Sequence, residues 1–174
     1  VATETEAGRF QQLLERAMEL GIATDCAIAQ SGRECEAFWA IREAIGEMQQ
    51  VHGRFVAFDV SVPVSDIGAF VDSCRLRLRN HLPQVNSLAF GQIADGNVHV
   101  ACFAPELATI EAEISRQVYM VVREWHGSVS AEHGIGLDKK QYLAYSRTEP
   151  EMALMRQLKR LLDPKSLLNR GRVI

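Results

Sequence analysis

Phe55-Val56-Ala57-Phe58-Asp59-Val60-Ser61-Val62-Pro63 is the stretch on which the fold turns. Its residues run with period two, so Phe55, Ala57, Asp59 and Ser61 share one face and Val56, Phe58, Val60 and Val62 the other; Pro63, with no N–H for a ladder, stops the strand. Downstream, Ser65-Asp66 predicts the cap of a helix that turns Ile67, Phe70, Val71 and Cys74 inward and ends near His81-Leu82-Pro83. Val85 to Gln92 and Asn97 to Phe103 read as two strands joined by Ile93-Ala94-Asp95-Gly96, where Asp-Gly tolerates the positive φ of a tight hairpin at both central positions. A long helix from about Glu106 to Trp125 follows, then a glycine-punctuated segment from Gly127 to Leu137, a short helix, and a helix from about Glu149 to Leu162 that closes at Asp163-Pro164.

Upstream, Phe10, Leu13, Leu14, Ala17 and Met18 recur at helical spacing within residues 7–20, and Gly21 stands where a C-cap is expected. Asp25 to Gln30 reads as a short strand ended by Ser31-Gly32, and a second helix runs from about Glu34 to Gln50 with Phe38, Ile41 and Ile45 toward the core. The order of elements predicts an α+β fold, first among its topologies a ferredoxin-like antiparallel sheet with helices packed mainly on one face. No linker or repeat divides the chain, and its 174 residues suffice for one compact domain.

Composition excludes several classes of function. An apolar share of 47% and a charged share of 24% are those of an ordinary folded protein. A net charge of −3 offers no basic face for nucleic acid, and no stretch approaches the roughly 20 apolar residues of a membrane span. Cys26, Cys35, Cys74 and Cys102 have no paired spacing and read as reduced thiols; with no secretory leader at the N-terminus, the expected location is cytoplasmic. Val1 stands where an initiator Met is expected, so the chain reads as cut from something longer.

Three segments carry more glycine and polar residues than such a sandwich needs. In Gly91 to His99, His99 shares a strand face with Asn97, and its imidazole could be a metal ligand, a proton acceptor or a half-buried bystander. In Ser128 to Gly136, Glu132-His133 precedes Gly134-Ile135-Gly136, a pattern that lets backbone approach a ligand while a carboxylate and an imidazole divide cation and proton duties; a solvated turn is the plain alternative. The third, Asp163 to Arg172, is by itself a helix stop with a basic end. Arg42, within the second helix, could grip a carboxylate in bidentate fashion or pair with Glu43 or Glu47.

Taken together, FWAIRE (38–43), FDVSVP (58–63), FGQIADGNVHV (90–100), VSAEHGIGLDK (129–139) and LLDPKSLLNRGRV (161–173) resemble the C-terminal half of the FAD-linked oxidases that include D-lactate dehydrogenase, the glycolate oxidase flavin subunit and D-2-hydroxyglutarate dehydrogenase. The resemblance implies that residues 1–174 are the cap domain that covers a flavin and forms the substrate pocket, while FAD itself is held by a separate N-terminal domain that nothing here matches. It implies oxidation of a small D-2-hydroxy acid to the 2-oxo acid. His133 takes the place of the base, Arg42 that of the substrate-carboxylate anchor, His99 a place at the substrate, and Asn97, Asn169 and His133 places beside the cofactor. A divalent cation such as zinc would be held by His99, Glu132 and position 92.

Here the sequence departs from the family. Position 92 is Gln where the first metal histidine is expected, Ala94 replaces a glycine, Ala101 an asparagine, and Ala57 the lysine ahead of the strand. An amide oxygen is a poorer zinc ligand than imidazole, so any metal is expected to be absent or weakly held. These losses motivate a second reading, a non-catalytic binding or assembly module that keeps the cap fold; a third is a flavin-independent ligand-binding domain. The expected partners are the small 2-hydroxy acid and the FAD-binding domain of the same protein, with no nucleic acid and a homo-oligomer left open.

Overall fold

The computed structural model describes residues 3–174. Contacts divide them into two compact units, Val1–Met48 and Gln49–Ile174. In the first, α1 (Glu4–Glu19) starts at a reciprocal cap, with Thr3 Oγ1 accepting from the Glu6 N–H and the Glu6 carboxylate accepting from the Thr3 N–H. The chain leaves it through Gly21 at φ +67°. The segment Asp25 to Gln30 is not the strand that its sequence suggests. It has no ladder partner among the described residues, and the amides of Cys26 and Gln30 bond to the carboxylates of Asp25 and Glu34 instead. The predicted helix to Gln50 is also interrupted: α2 (Gly32–Glu43) gives way to a 3₁₀ turn over Ala44–Glu47 before α3 (Met48–His52). Phe38, Ile41 and Ile45 do not face a core; they are 44%, 74% and 37% exposed.

The second unit is built on β1 (Val56–Ser61), α4 (Ile67–His81), β2 (Asn86–Gln92), β3 (Asn97–Phe103) and α5 (Leu107–Glu124), followed by α6 (Glu149–Leu162). The three strands form an antiparallel sheet in the order β1-β3-β2. This is the strand-helix-strand-strand-helix order of a ferredoxin-like sheet, and the place of its last strand is taken by one bridge at the β1 edge, where Ser61 and Ser128 exchange N–H···O bonds of 3.1 and 2.8 Å. The fold class is therefore α+β as the order of elements predicts.

Alternation divides the sheet. Phe58, Val60, Val98, Val100 and Cys102 point into a core completed by Phe70, Cys74 and Leu78 of α4 and by Ile114, Val118, Tyr119, Val121 and Val122 of α5. Each such side chain, fully buried, contributes about 1.5–3 kcal/mol of transfer free energy. The opposite face carries, row by row, Ser61-Asn97-Gln92, Asp59-His99-Phe90 and Ala57-Ala101-Leu88. Asp66 stands at the N-cap of α4 but makes no capping bond, its carboxylate accepting from the Ser65 hydroxyl instead. The β2–β3 connection is a 3₁₀ turn over Ile93–Asp95 in which only Gly96 has positive φ, +77°. A side chain at Gly96 would meet the Val62 carbonyl oxygen at 2.3 Å, so the turn needs glycine twice over.

Candidate active site

Of the residues singled out in the sequence, Gln92, Asn97, His99, Glu132 and His133 gather on the sheet face away from α4 and α5. Asn97 and Gln92 are register partners at one end of β3 and β2, so their amides lie side by side, and both donate to Glu132 Oε1, the Gln92 bond at 3.0 Å. One register step along, His99 stacks on Phe90 with ring centroids 5.1 Å apart and faces His133 across 5.9 Å. The Glu132-His133 turn and the His99 strand therefore meet on one face. His133 is exposed, with 65% of its side chain open, whereas Asn97 is 4% exposed.

Beneath the turn lies a residue that motif reading passed over. Asp59, the register partner of His99, is 1% exposed, yet its carboxylate is fully employed. It accepts the backbone N–H of His133 (2.8 Å) and of Glu132 (3.1 Å), the Ser130 hydroxyl (3.1 Å) and the Lys139 ammonium (3.3 Å). Burial by itself would raise the Asp59 pKa; the two amides and the adjacent Lys139 charge outweigh it and hold the group at about 2, so it is ionised at neutral pH. Lys139 Nζ in turn donates to Ser130 Oγ at 2.9 Å. The available sequence signal was an acidic residue in mid-strand, a position from which Asp is depleted.

The C-terminal tail returns beside this loop. Val173 N–H donates to the Gly136 carbonyl (2.9 Å) and Lys140 Nζ to that of Gly171 (2.9 Å), which brings the segment carrying Asn169, itself at φ +46°, alongside the glycines of the turn. Gly134 and Gly136, both at positive φ, have no atom within 4 Å of where a Cβ would stand, so this loop presents bare backbone. Arg42 belongs to the other unit, on α2, where its guanidinium lies 5.4 Å from the Trp39 ring centroid.

Two buried acceptors, Gln92 Oε1 and Asn97 Oδ1, have no hydrogen-bond partner among the described residues. Leaving such an oxygen unsatisfied costs about 1–3 kcal/mol, and a ligand hydroxyl or N–H in this corner would recover it. A zinc ion fits the corner less well. Glu132 Oε1 already accepts two amide N–H donors, position 92 offers an amide in place of an imidazole, and among the described residues no three His, Cys, Asp or Glu side chains come together to hold a metal. Flavin fits in a limited sense. No feature of this face is a phosphate cradle; what it offers is a stacked imidazole, a second imidazole open to solvent, and the bare Gly134–Gly136 backbone.

The D-2-hydroxyglutarate dehydrogenase of Xanthomonas citri pv. viticola is 36% identical over 188 residues, covering 99% of this chain and 39% of that protein. The mitochondrial D-2-hydroxyglutarate dehydrogenases of Danio rerio and Arabidopsis thaliana are each 35% identical, covering 92% and 95% of this chain and 30% and 29% of those proteins. The chain thus spans about a third of the length of the curated relatives it matches. The model of the family described as FAD linked oxidases, C-terminal domain, matches residues 2–173, and the chain belongs to that family.

Proposed function

We propose that residues 1–174 form the substrate-side cap domain of an FAD-dependent dehydrogenase that oxidises a D-2-hydroxy acid to the 2-oxo acid. The observation that carries this reading is the convergence of His99, Glu132 and His133 on one sheet face beside two unsatisfied buried acceptors. In the reaction the C2–H bond breaks with its electron pair leaving as hydride, the O–H bond gives up its proton, and C2–O becomes a carbonyl. FAD, bound by another part of the protein, supplies the two-electron acceptor. His133, exposed and adjacent to His99, takes the hydroxyl proton; general-base catalysis of this kind contributes about 10²–10⁴-fold. Asn97, Gln92 and His99 orient the hydroxyl end of the substrate. Asn169, on the tail beside Gly136, takes the place next to the flavin.

The names of the relatives supply D-2-hydroxyglutarate as a first substrate. The row next to His99, Ala57-Ala101-Leu88, carries no cation for a second carboxylate, which supports a substrate panel that also includes apolar D-2-hydroxy acids and D-lactate. Free thiols at Cys26 and Cys35 support a reducing, cytoplasmic setting. Among the described residues no helix is long and apolar enough to cross a membrane. The full-length protein is expected to purify with stoichiometric FAD whose visible absorbance bleaches anaerobically on addition of one member of the panel. A flavin-free protein, or a flavin inert to the whole panel, rejects the reading.

A further inference from the structure

Asp59 stands between the two halves of the site. It sits in the middle of β1 directly across the ladder from His99, and every polar atom past its own N–H is turned to the loop that carries Glu132 and His133. Its backbone carbonyl accepts from Ala131 N–H (3.2 Å) and from Lys139 Nζ (3.3 Å); its side chain takes the next two amides in sequence, Glu132 and His133, together with Ser130 Oγ and Lys139 Nζ. Three consecutive amides, 131 to 133, are thus pinned to one strand residue.

The contact with the imidazole itself is of another kind. His133 Nδ1 lies 3.7 Å from Asp59 Oδ2, beyond hydrogen-bond length, so the hold on this side chain runs through its backbone. Nor does the carboxylate reach a substrate: it is 1% exposed and already accepts from four donors of the loop. A buried carboxylate is costly unless paired and bonded, and a strand core could hold an apolar residue here at less cost. What the carboxylate achieves that an apolar residue cannot is a fixed orientation of two successive peptide groups on an exposed loop.

We propose that Asp59 is a positioning residue: it clamps the Glu132-His133 peptide to the strand that faces His99, so that both imidazoles and the Glu132 carboxylate stand on one face before a substrate arrives. Lys139 and Ser130 complete the clamp by neutralising and bonding the same carboxylate. The consequence for catalysis rests on the reading of His133 as the base; the clamp itself does not.

The test uses the full-length flavoprotein as wild type, Asp59→Asn, and Asp59→Asn combined with Lys139→Met, which removes the cation left unpaired by the first change. Flavin reduction is followed by stopped flow and compared with KM, FAD content and thermal midpoint. Loosening a loop by about 1 Å costs on the order of 10²-fold in rate. Asp59→Asn is expected to slow flavin reduction by about that factor while KM moves only a few fold. The double variant is expected to regain much of the thermal midpoint and none of the rate. Recovery of rate along with stability would show a purely structural role and overturn the proposal.

A second measurement needs neither a variant nor turnover. Hydrogen exchange in the wild-type protein is expected to show protected amides at Glu132 and His133, and exchange at unstructured-chain rates would overturn the clamp. If instead the wild-type flavin is inert to every D-2-hydroxy acid while those amides are protected, the functional reading falls and the clamp stands.

Discussion

His133 and Asp59 show what can and cannot be read at the scale of a residue. His133 announces itself, because an imidazole next to a carboxylate and ahead of Gly-x-Gly is polar chemistry at a place where backbone must come close to something. Its 65% exposed side chain packs against little, so removing it separates chemistry from folding. His133→Ala in the full-length protein is expected to lower turnover by about 10²–10⁴-fold, the usual worth of a general base, with a thermal midpoint close to that of wild type. Turnover kinetics beside a melting curve check it; unchanged turnover would remove His133 from the reaction. Asp59 gives no such signal, because its meaning lies in amides more than 70 residues away that no local pattern connects to it. Gln92 and Ala57 are informative in the opposite sense, as absences that only a family resemblance makes visible.

At the scale of elements, periodicity was legible wherever both a core face and a partner existed. The alternation of residues 55–62 gave the faces of β1 correctly, and α5 and α6 begin and end within a residue or so of their expected limits. It failed where the pattern had no neighbour to pack against: the short apolar run within Asp25 to Gln30 pairs with no strand among the described residues, and Phe38, Ile41 and Ile45 keep helical spacing on an uncovered face. The LLDP stop of α6 proves to be more than punctuation. Asp163 accepts from Lys159 Nζ and from the amides of Leu167 (2.9 Å) and Leu168 (3.0 Å), folding the tail that carries Asn169 back on the helix end. The Lys159 bond first, then those amides, hold its carboxyl at about 2, below the ordinary 3.8. A depressed pKa means that the tail is fully held above pH of about 4 and is released as pH falls through about 2. Exchange of the Leu167 and Leu168 amides, corrected for intrinsic pH dependence, is expected to accelerate over that window, and an Asp163→Asn protein should show the faster rates already at neutral pH. Equal protection at pH 5 and pH 2 would refute this.

At the scale of the whole molecule, the two units differ in what holds them together. None of residues 3–48 is buried, and Phe10, Leu13, Leu20, Ile22, Trp39 and Ile41 are each more than half exposed. In the second unit the sheet, α4 and α5 enclose a continuous core in which Val60, Phe70, Cys102, Ile114, Val118 and Val122 have no accessible surface. Helix propensity and caps such as the one at Thr3 cannot make up the difference, since a well-placed cap is worth about 1 kcal/mol and isolated helices of this length are marginal in water. Local opening free energy follows buried apolar contact, so it should be small across the first unit and approach the global value in β3 and α5. Hydrogen exchange on the 174-residue chain is therefore expected to show amides of α1 and α2 exchanging at least 10³-fold faster than those of Val98, Val100 and Cys102 after correction for intrinsic rates. Equal protection across the two units would mean that apolar cover for α1 and α2 exists in solution. The same experiment on the full-length protein then has a defined reading: protection gained by α1 and α2 there measures how much of their exposed apolar surface the rest of the protein covers.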